Sequence, residues 1–522
     1  MEEIIRIQKP VTFDESIAHS EVHAHQPFAS STFGNNDEIR ISVQNQNECV
    51  LPEKSSLHIH GKVTKEDYSM VAATKLVNMA VCHMFEEIRY ELNGVEIDRN
   101  KNVGITSIMK GYLSLTPGQQ RGLENTGWLS VADINLADDA GNFDVVIPLR
   151  YLLGFAEDYC RVVVNAKHEL ILTRTNTDLN AVLQTNTTEK FKITLKKVEW
   201  LLPYIKLADK PKIQLLNYIA KDSAIPMSFR SWETYVYPML PSTTRHVWAV
   251  KTSTQLEKPR YVIMGFQTAR KNEALKNASE FDHCRIRDVK LFLNSQCYPY
   301  GNLNLDISNN QYAILYDMYV QFQTSYYNKE AEPLLSRSEF IKRAPLIVID
   351  CSKQNESLKT GPVDIRLEFE ASVEFPRNSA AYCMILHDRV VEYSPISEIN
   401  YKGQGLRYLQ KQPYRTPPEE CISNIITKPP KMPISCDIKL CDNNKYVKNQ
   451  SINNGKQVTF FSLPNKQQLL PDMEKNMRSF WSAKIVVGGV LYFSSEPPER
   501  TENRGEELTN IILDELNNLG YQ

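Results

Sequence analysis

The feature that most constrains this chain is a short pattern that occurs twice. Glu87 to Ile97 reads E-I-R-Y-E-L-N-G-V-E-I, and Asp288 to Tyr298 reads D-V-K-L-F-L-N-S-Q-C-Y. Each copy runs acid, β-branched residue, base, two further residues, Leu-Asn, then a small residue. Asn93-Gly94 and Asn294-Ser295 are turn signals between β-rich flanks, so each copy predicts a β-hairpin. Asn and Gly suit the turn because both tolerate positive φ at little cost. The copies lie about 200 residues apart, too far for a solenoid repeat and close to one domain each.

The flanks repeat in the same order. Ile105 to Leu115 follows the first hairpin and Gln311 to Tyr327 the second, and both are helix-compatible. Then come the apolar runs Asp144 to Leu153 and Ala344 to Cys351, and the strand-like runs His168 to Thr175 and Val363 to Ser372. Each half closes on a long β run: Phe191 to Pro203, with Val198-Glu199-Trp200, and Ala381 to Pro395, with Val391-Glu392-Tyr393. A shared order is stronger evidence of duplication than one matching string.

The rest of the chain fits that frame. Residues 1–36 show little periodicity and are expected to be an extended arm. Glu38 to Val43 and Ser56 to Val63 alternate as half-buried strands do. Thr116 to Asn142 is a long loop rich in Gly, Asp and Asn. Lys206 to Phe229 starts polar and holds Pro211 and Pro226, which places the domain linker at 206–229. Thr234 to Leu240, His246 to Thr252 and Arg260 to Thr268 are strand-like again. A Pro-rich linker is expected at 401–433 and an α/β extension of unknown role at 434–522. The extension holds two strand-like pieces, Gln457 to Leu463 and Ala483 to Phe493. Leu508, Ile512, Leu516 and Leu519 form one stripe of a terminal amphipathic helix. The fold class is therefore all-β: jelly roll 1 over 37–205, jelly roll 2 over 230–400, then the extension. Two sandwiches of about eight strands with long cross-connections fit jelly rolls better than up-and-down barrels.

Composition narrows the function. Lys plus Arg is 60 and Asp plus Glu 62, a formal charge of -2, so no global field draws nucleic acid or anionic membrane. The 10 cysteines contain no CxxC pair, the usage of a reducing compartment. The opening Met1-Glu2-Glu3 has no basic n-region, and no apolar run is long enough to span a bilayer, so an intracellular protein, in cytoplasm or nucleus, is expected.

Candidate chemistry is sparse. His58 and His60 share one strand face and could hold a metal, but no third ligand stands at a recognisable spacing, so a half-buried strand face is the preferred reading. His23 and His25 in the arm are weaker candidates, and Cys436 and Cys441 lack a partner pair. Gly403-Gln404-Gly405 lacks the third glycine of a dinucleotide loop. No GxSxG or HExxH occurs. Glu86-Glu87 and Asp138-Asp139 are neighbours whose side chains point apart on a strand. Lys196-Lys197 and Lys206 to Lys212 are too thinly basic, without interleaved aromatics, for a nucleic-acid face. No catalytic residue, cofactor or metal is expected; the residues singled out are the turn residues Asn93, Gly94, Asn294 and Ser295.

With these elements placed, the chain resembles the double jelly-roll major capsid proteins of Polinton (Maverick) elements and adintovirus-like viruses. The resemblance rests on Glu38 to Val43, Leu51-Pro52, Leu57 to Val63, Phe85 to Arg99, Asn102 to Thr106, Gly154-Phe155 and Glu157-Asp158-Tyr159. It continues through Glu169 to Asp178, Pro259 to Thr268, Arg287 to Tyr300 and His387 to Pro395. It spans about 38 to 395 and stops near Asn400, where such proteins tend to end. It implies a non-enzymatic virion subunit that forms a homotrimer of pseudo-hexagonal outline, then an icosahedral lattice. Penton or minor capsid proteins are further partners. Membrane insertion is not implied, and nucleic-acid contact is weak or none. A domesticated, element-derived protein with a host binding role is the alternative, and a carbohydrate-binding β-sandwich another, since jelly rolls host many functions.

Overall fold

A computed structural model describes residues 16–28, 33–129, 135–186, 188–221, 224–252, 259–353, 363–395 and 400–402, together with five later strands. The chain divides into two compact units, Met1–Ile426 and Thr427–Gln522.

The first sandwich uses β1 (Ile17–His25), β2 (Glu38–Val50), β3 (Ser56–Lys65), β4 (Thr74–Leu76), β5 (Phe85–Leu92) and β6 (Val95–Lys101). It continues with β7 (Asn142–Pro148), β8 (Val163–Arg174), β9 (Val182–Gln184) and β10 (Phe191–Leu207). Its helices are α1 (Ala80–His83), α2 (Val103–Ser114), α3 (Pro117–Gly122) and α4 (Gly154–Asp158). Alternation decides the strands: along β3 the apolar Leu57, Ile59 and Val63 point to the core while His58, His60 and Lys62 do not. Four strands lie in the order β6-β5-β8-β2 and four in the order β1-β10-β3-β7; all pairs are antiparallel. The two layers join at one corner, where Tyr204 and Ile205 of β10 pair with Val50 and Cys49 of β2. The ribbon β4-β9 stands apart.

The second sandwich follows α5 (Asp209–Ile219). Its strands are β11 (Ile225–Tyr237), β12 (Arg245–Thr252), β13 (Pro259–Thr268), β14 (Ile286–Leu293), β15 (Gln296–Tyr298), β16 (Ile347–Asp350), β17 (Asp364–Ala371), β18 (Ser379–Tyr393) and β19 (Asn400–Lys402). Its helices are α6 (Ala313–Tyr327) and α7 (Arg337–Arg343). The layers are β15-β14-β17-β12 and β11-β18-β13-β16, with β19 beside β18. Strand for strand, this is the order of the first sandwich, with β1 matched by β11, β5 by β14, β6 by β15 and β10 by β18.

The repeated Leu-Asn has a physical cause. Asn93 (φ 49°) and Gly94 (φ 76°) turn the first hairpin, and Asn294 (φ 54°) begins the second turn. The Asn93 N–H donates to Lys167 O at 2.9 Å, and Lys167 N–H donates to Asn93 Oδ1 at 2.7 Å. In the second sandwich Asn294 N–H donates to Asp364 O at 3.0 Å, and Asp364 N–H donates to Asn294 Oδ1 at 2.8 Å. The side chain thus adds one rung to the ladder past the end of the strand. Glycine could take the conformation but not accept the bond.

Four features differ from the expectation. The arm contains β1, paired to β10 from Ile17↔Leu207 to His25↔Trp200. The stretch 206–229 is not a bare linker: it ends β10, forms α5 and begins β11. The long loop after Thr116 carries α3, held by a reciprocal cap between Thr116 and Gln119. The Val-Glu-aromatic strings are not equivalent, since Trp200 faces the last residue of β1 while Tyr393 faces the first of β11.

The second unit is an antiparallel sheet in the order β20-β21-β22-β24-β23, made of Asp437–Leu440, Val447–Asn453, Lys456–Ser462, Val490–Ser494 and Ser482–Val486 respectively. Ala483 to Phe493, read as one strand, falls on two paired strands. The terminal helix lies outside the described residues. Among the described residues no helix is long and apolar enough to cross a membrane.

Candidate functional site

Among the described residues, side chains from both halves converge at the seam between the sandwiches. The β5-β6 hairpin carries Asp98 to the inner face, where it is 1% exposed. Its Oδ1 accepts from Ser231 Oγ at 2.7 Å and its Oδ2 from Phe155 N–H at 2.9 Å. Burial raises the Asp98 pKa, and these donors oppose the rise. Beside it Arg230 of β11 grips Asp158 of α4. Arg230 Nε donates to Oδ2 at 2.8 Å, its second terminal nitrogen to Oδ1 at 2.6 Å, and its backbone N–H to Oδ2 at 2.8 Å. The remaining arm donates to Tyr326 O at 3.0 Å, and the guanidinium lies 3.8 Å from the Tyr326 ring centroid. Gly154 lets α4 close on β11, because a Cβ there would fall on the Arg230 carbonyl oxygen.

Two further clusters extend the seam. Lys110 of α2 is paired to Glu157 at 2.8 Å, donates to Arg150 O at 2.7 Å and sits 4.9 Å from the Trp232 ring; Tyr327 OH donates to the same Glu157 at 2.8 Å. At the other end Ser279 Oγ donates to Asn78 O at 2.7 Å. That uses its only proton, so His83 Nε2, 3.1 Å away, must donate to Ser279. Burial pushes the His83 pKa down to about 4, which keeps the ring neutral. Tyr112 OH donates to Ser279 O, and Tyr319 OH to Tyr112 O. The apolar residues of both sandwiches form one continuous core across this seam. Partners leave few charges unsatisfied, which is the condition for burying them at all.

The turn residues Asn93, Gly94, Asn294 and Ser295 lie at hairpin tips, not in the seam. His58 Nε2 lies 2.8 Å from Asp144 and its Nδ1 3.4 Å from Glu199, so it is bracketed by acids on a strand face. His23 stacks on Tyr204 and pairs with Glu21 at 2.9 Å, and His25 meets Tyr204 OH at 3.0 Å. Among the described residues no group of three His, Cys, Asp or Glu is placed to hold a metal. Lys197 is paired with Glu199 at 2.7 Å, and Glu87 with Arg89 at 3.4 Å. Cys436, Cys441 and Gly403 to Gly405 lie outside the described residues. A cleft of about 1210 Å³ opens beside the seam between Lys75, Arg270, Asp282 and Arg343. One of the cations that line it, Arg270, is spent on structure, since it donates to both Asp282 oxygens at 3.0 and 2.7 Å. Sequence reasoning missed the Arg230–Asp158 pair. Gly154-Phe155 and Glu157-Asp158 stood out, but nothing marked Arg230 as their partner.

Two sandwiches of one strand order, fused through a shared core, define a double jelly roll. The double jelly roll-like domain family matches residues 74–391, most of the chain, and this protein belongs to that family. No curated protein matches it. Among solved structures it is similar to a chain of the Sputnik virophage determined by cryo-EM, with TM-score 0.52 and 9% identity over 83% of this chain and 94% of that one. It is also similar to the PBCV-1 virus capsid, with TM-score 0.50 and 9% identity over 77% of this chain and 99% of that one. At such identity the likeness is one of fold.

Proposed function

We propose that the protein is a non-enzymatic structural subunit of a virion shell, with a homotrimer as its working unit and an icosahedral lattice as its product. The observation that carries this reading is the seam. It fixes two sandwiches of one strand order into a single body, so each chain offers two near-equivalent blocks, and three chains offer six. A closed ring of identical subunits is how soluble chains satisfy a repeated heterologous surface. The fold likeness to a virophage chain and a viral capsid supports the same reading. The pattern of residues from Glu38 to Pro395 favours the Polinton (Maverick) and adintovirus-like group, with penton or minor capsid proteins as further partners.

Light scattering coupled to size exclusion, with negative-stain imaging at high concentration, tests the proposal. A trimer, and particles or hexagonal sheets, is the expected result. A strict monomer across concentration, salt and pH would overturn it and favour a domesticated binding protein.

A further inference from the structure

The cleft beside the seam is strongly basic on a chain that is nearly neutral. Six Lys and Arg residues line it against two acids, whereas the whole chain carries a formal charge of -2. Both acids are already taken: Asp282 by Arg270 at 2.7 Å, and Glu280 by Arg270 at 3.6 Å and Arg343 at 3.9 Å. Lys75 of β4, Lys276, Arg285 and Lys342 of α7 are exposed, and among the described residues they make no ion pair with a carboxylate. The stretches outside the described residues that adjoin the lining in sequence, 130–134 and 187, hold one acid, Asp133, which cannot offset this excess. Apolar residues share the lining, with Leu275 45% and Val373 39% exposed.

The walls are fixed in advance. Gln267, 2% exposed, donates to Ala278 O at 2.7 Å and to Glu280 O at 2.9 Å, and Arg270 donates to Asn277 O at 2.9 Å. Among the described residues five other than Asn and Gly stand at positive φ, and four of them border this cleft: Met79, Ala269, Cys284 and Arg285. Residues with a Cβ adopt that conformation at a cost, which is borne where the surroundings hold a particular shape.

We infer that this cleft is a docking site for an acidic, amphipathic peptide segment of another protein. Charge complementarity names the partner: its carboxylates answer the four unpaired cations, and its apolar side chains cover Leu275 and Val373. A bare polyanion would satisfy the cations but leave that apolar surface in water. The volume of about 1210 Å³ also exceeds the roughly 300–1,000 Å³ of small-molecule pockets. The inference stands apart from the shell reading, because the cleft is complete within one chain.

The test uses the full chain and two fluorescent peptides of one amphipathic helical spacing, one built of Leu and Glu, the other of Leu and Lys. Anisotropy should show saturable binding of the Leu/Glu peptide and not of its basic twin. Leu275→Ser with Val373→Ser should weaken that binding severalfold. Reversing the four cations together (Lys75→Glu, Lys276→Glu, Arg285→Glu and Lys342→Glu) should abolish it and confer binding of the Leu/Lys peptide. All six positions are exposed, so the variants should melt with the wild type, and the gained binding shows that the reversed cleft is still formed. Inositol hexakisphosphate should compete only weakly. If it displaces the peptide fully and the serine variant binds as the wild type does, the cleft takes a polyanion alone and the peptide assignment falls. Binding that survives the reversal would place the peptide elsewhere and overturn it too, as would no binding up to about 1 mM peptide, the weak end of measurable affinity. None of these outcomes bears on whether the chain forms a trimer, so the two readings fail separately.

Discussion

Helices α2 and α6 occupy matching places after matching hairpins, yet one is swallowed and the other is half bare. α2 is apolar around most of its circumference, with Ile108, Met109 and Leu113 at 0% exposure. α6 buries a single stripe of Leu315, Tyr319, Phe322, Gln323 and Tyr326 and turns Asp317 and Gln321 outward. Duplication supplied the strand order; the seam then assigned different chemistry to equal positions. A helix hydrophobic all round needs cover on every side, and here the second sandwich provides it. The lesson is that burial in this protein belongs to place in the assembly of blocks, not to place in the block.

The comparison breaks most sharply at Gly154. A side chain there meets the Arg230 carbonyl, which is backbone of β11 and cannot swing away. Gly154→Val should therefore hold the seam open and cost about 3 kcal/mol or more, the upper end of overpacking penalties. Chemical denaturation would read it as a lowered midpoint, and if the seam separates from the sandwiches, as a second transition. A wild-type midpoint would show that the seam contributes little to stability.

Acid should be the next largest perturbation, and it should act on the first sandwich and the seam. Burial depresses His83 to about 4 and His168, whose Nδ1 faces Tyr90 OH at 2.7 Å, to about 3. Both bind a proton more readily unfolded, near the ordinary pKa of about 6.5. Their neutral burial therefore costs nothing above that pH, and stability falls as pH drops from about 6.5 through 4, by about 2–3 kcal/mol for His83. Thermal melts between pH 7 and 4 should show the loss, and His83→Gln should flatten it. An unchanged slope in His83→Gln would place the acid sensitivity elsewhere.

How much of this was legible in the sequence depended on whether a residue's demand was local. The hairpins were, since a two-residue turn with positive φ admits few side chains, and Asn93 and Asn294 announce it. The alternating strands were, since a sandwich buries one face of each. β1 was not: His19, Glu21, His23 and the exposed residues between them give no apolar period, because an edge strand here is held by backbone pairing with β10 rather than by a buried face. α5 buries none of its residues fully and carries Pro211 in its first turn, so it resembled a linker. The seam was the least legible part. Arg230 and Asp158 meet across two domains, and the geometry that joins them exists only once both sandwiches have closed.

The hairpin asparagines sharpen the comparison at a smaller scale. Asn93→Gly and Asn294→Gly keep the left-handed turn and delete only the Oδ1 acceptor for Lys167 and Asp364. Each should cost about 1 kcal/mol, the net worth of one hydrogen bond. Equal losses in denaturant midpoints would say that the two hairpins remain energetically equivalent after duplication. A loss confined to Asn93, which is less exposed than Asn294, would say that burial has already made them different.

The smallest effect on the isolated chain should come from the bare side of α6. Ile314 is 55% exposed, whereas Ile108 on α2 is 0% exposed. Truncating Ile108 to Ala removes a buried side chain and leaves a cavity, at about 3 kcal/mol. Ile314→Ser removes partly solvated surface in the first turn of a helix, where serine is tolerated, and should change monomer stability by about 0.5 kcal/mol or less. The pair of measurements reads the asymmetry directly, because both residues lie on helices that follow the repeated hairpin. If Ile314→Ser costs as much as Ile108→Ala, α6 is packed more like α2 than its exposure implies.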